Sequence, residues 1–162
     1  MVMRITTNAC ATIETDGNLI DVVELTSFLY FFRAAYAAAL ERFPQHVTRS
    51  ELNEDGINHL CKELRHHLVD THWQSISGLA RKDLGNKNLY IRDIHRENPI
   101  NIVFEGIPIA LAVAIILSGG RIKILGTLDV KLPPLGTGIR SLREAFGKKP
   151  QKPRERQLKK EQ

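Results

Sequence analysis

The sequence predicts an α+β domain in which helices pack a small, mainly antiparallel sheet, with one central and very apolar helix over residues 99–118. Helical patterns follow one another in the first half of the chain, which excludes the regular βα alternation of a doubly wound sheet. Segments with period-two alternation occur near the start and again in the second half. Residues 99–117 contain only two strongly polar side chains, Asn101 and Glu105, which is typical of a helix buried on all sides.

The first predicted elements are a strand and a short hairpin. Apolar and polar residues alternate over residues 3–13, and this alternation predicts a strand with one buried face. The pair Asp16-Gly17 favours a tight turn, after which residues 18–20 can pair back briefly.

Two long helices are expected next. Asp21 begins a capping box that predicts a helix over residues 21–43, and Pro44 stops it. The apolar residues of this helix cover a wide arc, which is typical of a helix that packs on more than one neighbour. A second capping box at residues 48–51 predicts a helix that runs to about Thr71. Its buried stripe comprises Ile57, Leu60, Cys61, Leu64 and Leu68.

The second half of the chain combines strands with helices. We expect a helical stretch over residues 73–84 and a strand over residues 89–94. Asn98-Pro99 then favours a helix start, so the apolar segment 99–117 is predicted to be one helix that stops at Gly119-Gly120. A hairpin and a short last helix follow; they carry Ile122, Ile124, Leu128, Val130 and Leu132, then Ile139, Leu142 and Phe146.

Charge divides the chain into two parts. We expect a single domain over residues 1–147 and a flexible basic tail over residues 148–162. The tail has seven basic residues against two acidic ones, so its net charge of +5 equals the formal charge of the whole chain. Such a tail attracts polyanions, either nucleic acid or anionic lipid. The expected polyanion contacts are Lys148, Lys149, Lys152, Arg154, Arg156, Lys159 and Lys160.

The two cysteines and the first residues bear on the compartment. Cys10 and Cys61 lie far apart and suggest no disulfide framework, which favours a reducing compartment. The first seventeen residues lack the apolar core of a secretory signal. We therefore expect a cytoplasmic protein.

No motif in the sequence supports catalysis, so we expect a protein that is not an enzyme, with no catalytic residues and no cofactor. His59, Glu63 and His66 share one face of the second helix and are weak candidates for metal binding. Their Glu-x-x-His spacing matches di-iron bundles, but those need a second such pair, which this sequence lacks. We expect a solvated helix face instead.

The leading functional hypothesis is a non-enzymatic protein-binding or assembly module, either self-associating or bound to a protein partner. The expected contact elements are the helix over residues 21–43 and the apolar helix over residues 99–117. Their proposed contact residues are Phe28, Phe31, Ile109, Leu111, Val113 and Ile116.

Two alternatives remain open at the level of sequence. A membrane-acting effector would engage lipid through residues 99–117 and the basic tail. A nucleic-acid-associated protein would use the tail alone. We favour burial of the apolar segment, because Glu105, Gly106 and Pro108 interrupt its first half. The succession of strand, Asp-Gly turn, long helix and Asn-Pro before an apolar helix resembles small bacterial proteins; it implies a bacterial source but no activity.

Overall fold

A computed structural model describes residues 8–13, 20–43, 53–96, 100–125 and 127–148, and it confirms the α+β class. Five strands and five α-helices alternate irregularly along these residues, with a short 3₁₀ turn at Gly85–Lys87. In chain order the elements are β1 (Asn8–Ile13), α1 (Val22–Arg42), α2 (Glu54–Leu68), α3 (Trp73–Arg81), β2 (Tyr90–Arg96), β3 (Ile100–Glu105), α4 (Pro108–Leu117), β4 (Arg121–Leu125), β5 (Thr127–Lys131) and α5 (Leu135–Ala145).

The five strands form one sheet in the order β2-β3-β1-β5-β4. Three of its neighbouring pairs are antiparallel, and only β1 and β5 run parallel, so the expected mainly antiparallel sheet is confirmed. The hairpin predicted around Gly126 is also present, with Ile122 of β4 opposite Val130 of β5. The predicted beginning of β1 and the turn after it fall on residues 3–7 and 14–19, which lie outside the described residues.

Helix α1 begins where its sequence predicts. The Asp21 carboxylate accepts hydrogen bonds from the N–H groups of Val23 at 2.7 Å and Glu24 at 3.3 Å, which satisfies two donors of the first turn. Arg42 is the last helical residue, directly before Phe43. The helix contacts α3, α4 and α5, as its wide apolar arc predicts. Ten of its residues are buried: Phe28, Phe31, Phe32, Ala34, Ala35, Tyr36, Ala37, Ala38, Ala39 and Leu40.

The predicted helix over residues 99–118 is wrong in its first half. Residues Ile100–Glu105 form strand β3, which lies between β1 and β2, and the helix begins only at Pro108. Apolar residues at alternate positions explain the strand, because Ile102 and Phe104 are buried while Val103 between them is only partly buried. Asn98-Pro99, the expected helix start, lies outside the described residues.

Gly106 and Pro108 separate the strand from the helix. A β-carbon on Gly106 would lie 2.8 Å from the hydroxyl oxygen of Tyr36, so a larger residue would collide with that ring. The same hydroxyl accepts a hydrogen bond from the Ile107 N–H at 2.8 Å and donates one to the Lys87 carbonyl at 2.7 Å. Pro108 then occupies the first turn of α4, where its missing N–H costs nothing.

Helix α4 is buried inside the domain, as expected for the apolar segment. Gly119, with a φ of +84°, ends the helix at the predicted position. None of the helices in the described part of the chain is long and apolar enough to cross a membrane. The buried residues of α4 are Ile109, Ala110, Leu111, Ala112, Val113, Ala114, Ile115 and Leu117.

Helix α2 is shorter than predicted. It begins at Glu54, where the Asn53 side chain accepts a hydrogen bond from the Gly56 N–H at 2.6 Å, and it ends at Leu68. The capping box expected at residues 48–51 lies outside the described residues. The apolar stripe is present, with Ile57, Cys61, Leu64 and Leu68 buried and Leu60 partly buried.

Helix α3 ends at Arg81, three residues before the predicted end, because a side chain from α1 binds its last carbonyl groups. The Arg33 guanidinium donates hydrogen bonds to the carbonyls of Leu79 and Ala80 and, at 2.6 Å, of Lys82. A cation at this position also interacts favourably with the negative end of the helix dipole. Arg33 thereby joins α1 to the C-terminal end of α3.

Candidate functional site

The residues expected to contact a partner lie among the core residues of the domain. Phe28, Phe31, Ile109, Leu111 and Val113 are all buried, and Ile116 is partly buried. Phe28 stacks on Phe32 with ring centroids 5.4 Å apart, so the apolar arc of α1 is filled by the chain's own core. The apolar residues of these helices are core residues, and their contact with a partner stays a prediction.

The weak metal candidates form an exposed pair on α2. His59 Nε2 lies 3.3 Å from Glu63 Oε1, and both side chains are largely exposed, as is His66. Within the described residues, no group of three or more His, Cys, Asp or Glu side chains could hold a metal ion. The face is a solvated i, i+4 pairing that adds little to stability.

Cys61 is the cysteine whose surroundings the structure describes. It is buried, with its Sγ atom 4.0 Å from the Val113 carbonyl oxygen of α4. Burial raises the pKa of the Cys61 thiol to about 11, and the nearby Arg65 charge offsets this only in part. The thiol is therefore protonated at neutral pH and acts as a packing group, since only the thiolate is nucleophilic.

An open groove of about 680 Å³ runs between the C-terminal ends of α1 and α2 and the outer side of α3. Glu41 and Lys82 form an ion pair on its wall, and His67, Asp70 and His72 also line it. Among the described side chains, no hydrogen bond joins a groove hydroxyl to either histidine. The groove has the size of a small-ligand site.

Strand β2 carries a concentration of exposed apolar side chains. It lies at the end of the sheet, with β3 on one side and no strand of the described chain on the other. Tyr90 is 53% exposed, Ile91 41% and Ile94 52%. Large apolar residues on an unpaired edge are the features that natural sheets usually avoid, because they favour pairing with another strand.

A β-bulge places both isoleucines of β2 on the same face of the sheet. Ile91 lies opposite Phe104 of β3 and Ile94 lies opposite Ile102, and the register shifts between Ile91 and Asp93. Phe104 stacks on Phe32 of α1 at 4.9 Å, so this is the face that the helices cover. The two isoleucines therefore extend the apolar layer of the core beyond the cover of the helices.

The opposite face of β2 is polar. His95 Nε2 lies 2.8 Å from Asp93 Oδ2, and Arg92 lies 4.0 Å from the Glu105 carboxylate, which belongs to the face away from α1. Tyr90 pairs with Glu105 and shares this face. Residues 91 and 94 thus lie on the face of the sheet that packs against the helices, and residues 90, 92, 93 and 95 lie on the opposite face. This order of faces is the same when the strand is read in either direction. We call residues 90–95 the β2 edge.

A second exposed cluster surrounds Trp73 at the beginning of α3. Trp73 is 50% exposed, and its ring packs edge-on against the buried Phe31 with centroids 6.1 Å apart. The guanidinium carbon of Arg143 lies 5.5 Å from the indole centroid and Lys148 Nζ lies 5.2 Å from it. We call Trp73, Arg143 and Lys148 the tryptophan cluster.

The turn that follows α5 places Lys148 in this cluster. Gly147 has a φ of +71°, and a β-carbon there would overlap the Val69 carbonyl at the end of α2. Only glycine permits this close turn, which is closed by a hydrogen bond from the Lys148 N–H to the Arg143 carbonyl at 2.8 Å. Of the expected polyanion contacts in the tail, Lys148 is described; the others lie outside the described residues.

Neither surface was named from the sequence, although residues 89–94 were expected to form a strand. The bulge and the edge position of β2 depend on its partner strand, and Trp73 meets cations that lie about seventy residues further along the chain. Comparison with protein-family models, with curated proteins and with solved structures finds no match to this chain. The geometry of these surfaces is therefore the basis for proposing a function.

Proposed function

We propose that the chain is a self-assembly module that forms a dimer by pairing the β2 edges of two copies. The observation that carries the proposal is the exposure of Ile91 and Ile94 on an outermost strand whose other edge has no partner in the described chain. Pairing would continue the sheet across two copies and cover both isoleucines, in the manner of β-strand addition.

The occupant that best fits this edge is a second copy, because the edge complements itself. In an antiparallel arrangement about a two-fold axis between positions 92 and 93, Ile91 lies opposite Ile94 of the other copy. Arg92 then lies opposite Asp93, and Tyr90 lies opposite His95. Every pair joins residues from the same face, and the charged pairs have opposite sign, which stabilises cross-strand neighbours.

The expected dimer is weak. Cross-strand pairs contribute roughly 0.2–1 kcal/mol each, and a contact of six residues a side is small beside a standard interface. Association also costs translational and rotational freedom. We therefore expect dissociation in the micromolar range, with the monomer fold unchanged.

Sedimentation velocity between about 1 and 200 μM tests the proposal. Ile94→Lys should remove the dimer, because it places two cations in the apolar strip. Val69→Lys is the matched control, since Val69 and Ile94 are both 52% exposed and the charge change is the same. Circular dichroism and urea unfolding should show that both variants remain folded.

Two outcomes would contradict the proposal. A wild-type chain that stays monomeric throughout this range has no self-assembly of the proposed strength. A wild-type dimer that survives Ile94→Lys but not Val69→Lys assembles through another surface.

A further inference from the structure

We infer that the tryptophan cluster is a binding site for single-stranded nucleic acid, in which the Trp73 indole stacks on a base while Arg143 and Lys148 bind the adjoining phosphates. This inference rests on residues that do not belong to the β2 edge and does not depend on dimer formation.

The indole ring is both exposed and held in place. Half of its surface faces solvent, although burial of a tryptophan side chain contributes a large hydrophobic free energy to folding. Phe31, which is buried, contacts the ring edge-on and fixes its orientation. A rigid, half-exposed aromatic ring is the platform on which an unpaired base stacks.

The two cations at the ring are not neutralised by the described part of the chain. Neither Arg143 nor Lys148 forms an ion pair with a described carboxylate. The Nε atom of Arg143 is buried and has no hydrogen-bond partner among the described residues. Both cations lie over the indole ring in cation–π contact, so the phosphates next to a base stacked on the exposed part of that ring would lie close to two positive charges.

The sequence carries more positive charge after Lys148. After Lys148 the chain adds six more basic residues in the tail, with two acidic ones. Such charge adds affinity that depends on salt and not on base sequence. A duplex is a poorer ligand, because its bases are already stacked on one another.

An anionic membrane is the competing ligand, and the single tryptophan of the chain distinguishes the two. Stacking on a base should quench the fluorescence of Trp73, whereas insertion into lipid should shift its emission to shorter wavelength. Oligo(dT) and oligo(U) of twenty nucleotides serve as nucleic-acid probes, and vesicles containing one-third anionic phospholipid serve as the lipid probe.

Substitutions distinguish the contribution of the Trp73 ring to binding from that of the positive charge at Lys148. In anisotropy titrations with labelled oligonucleotide, Trp73→Ala should weaken binding about tenfold or more, and Trp73→Phe should restore much of the affinity. Lys148→Gln should lower the slope of log affinity against log salt by about one, while Lys62→Gln on the solvent face of α2 should not alter it. Titrations at nanomolar protein keep the chain monomeric and separate this test from the assembly test.

Three results would overturn the inference. Oligonucleotides that bind with equal affinity to wild type and Trp73→Ala use the tail alone. A blue shift with vesicles, without quenching by either oligonucleotide, assigns the cluster to a membrane surface. Failure of both probes to change the fluorescence at low salt leaves the ring without a polyanion ligand.

Discussion

Helix α4 and strand β2 show opposite relations between apolarity and exposure. The helix contains no polar residue from Pro108 to Leu117, and almost all of it is buried. The strand reads Tyr-Ile-Arg-Asp-Ile-His-Arg, yet both of its isoleucines are exposed. In this fold the exposed apolar side chains therefore lie at a sheet edge and not in the most apolar segment of the sequence.

The strongest test of this comparison places a charge in α4. Ala112 is 3% exposed, so Ala112→Asp would bury an unpaired carboxylate and should lower the free energy of unfolding by several kcal/mol. Urea unfolding measures the change. Val22→Asp is the control, because Val22 is 74% exposed and the same new charge should cost less than about 0.5 kcal/mol there. Equal effects at the two sites would contradict the buried position of α4.

A second test concerns the junction that leads into α4. Tyr36→Phe removes the hydroxyl that accepts from the Ile107 N–H and donates to the Lys87 carbonyl. Leaving these partly buried groups unpaired should cost about 1–3 kcal/mol of stability. Tyr90→Phe is the control, because its hydroxyl belongs to a side chain that is 53% exposed, and its stability should barely change. A tolerated Tyr36→Phe would show that this hydroxyl does not secure the junction.

A third test uses the thiol that packs against α4. Burial raises the pKa of Cys61 from 9.0 to about 11, so the folded chain holds this proton more tightly than the unfolded chain does. The resulting stabilisation is complete below pH 9 and is lost as the pH rises towards 11. Between those values wild type should lose about 2 kcal/mol more than Cys61→Ala, measured by urea unfolding at each pH. Parallel losses in both chains would place the thiol in contact with solvent.

Sequence reasoning succeeded where the cause is local. The Asp21 cap, the glycine stop after α4 and the hairpin around Gly126 each follow from a few neighbouring residues. It failed at residues 100–105, because a short, nearly continuous apolar run shows no periodicity that distinguishes a buried strand from a buried helix. Only the neighbouring strands β1 and β2 decide between the two.

The candidate surfaces depended even more on distant contacts. Phe31, which was expected on a binding surface, contacts Trp73 of α3 and Phe146 just after α5, and it is buried. The exposure of Ile91 and Ile94 on one face follows from the bulge in β2 and from the position of this strand at the end of the sheet. No local sequence pattern predicts the bulge or the edge position of β2, since both depend on the order of the strands in the sheet.

Charge reversal at the centre of the β2 edge tests whether two copies of that edge pair with each other. The proposed register sets Arg92 opposite Asp93 of the second copy, so Arg92→Asp and Asp93→Arg should each place like charges opposite one another and weaken the dimer. An equimolar mixture of the two variants restores both opposite-charge pairs. Native mass spectrometry should then find the mixed dimer and little of either homodimer. A mixture that remains monomeric, or single variants that dimerise as well as wild type, would contradict the account.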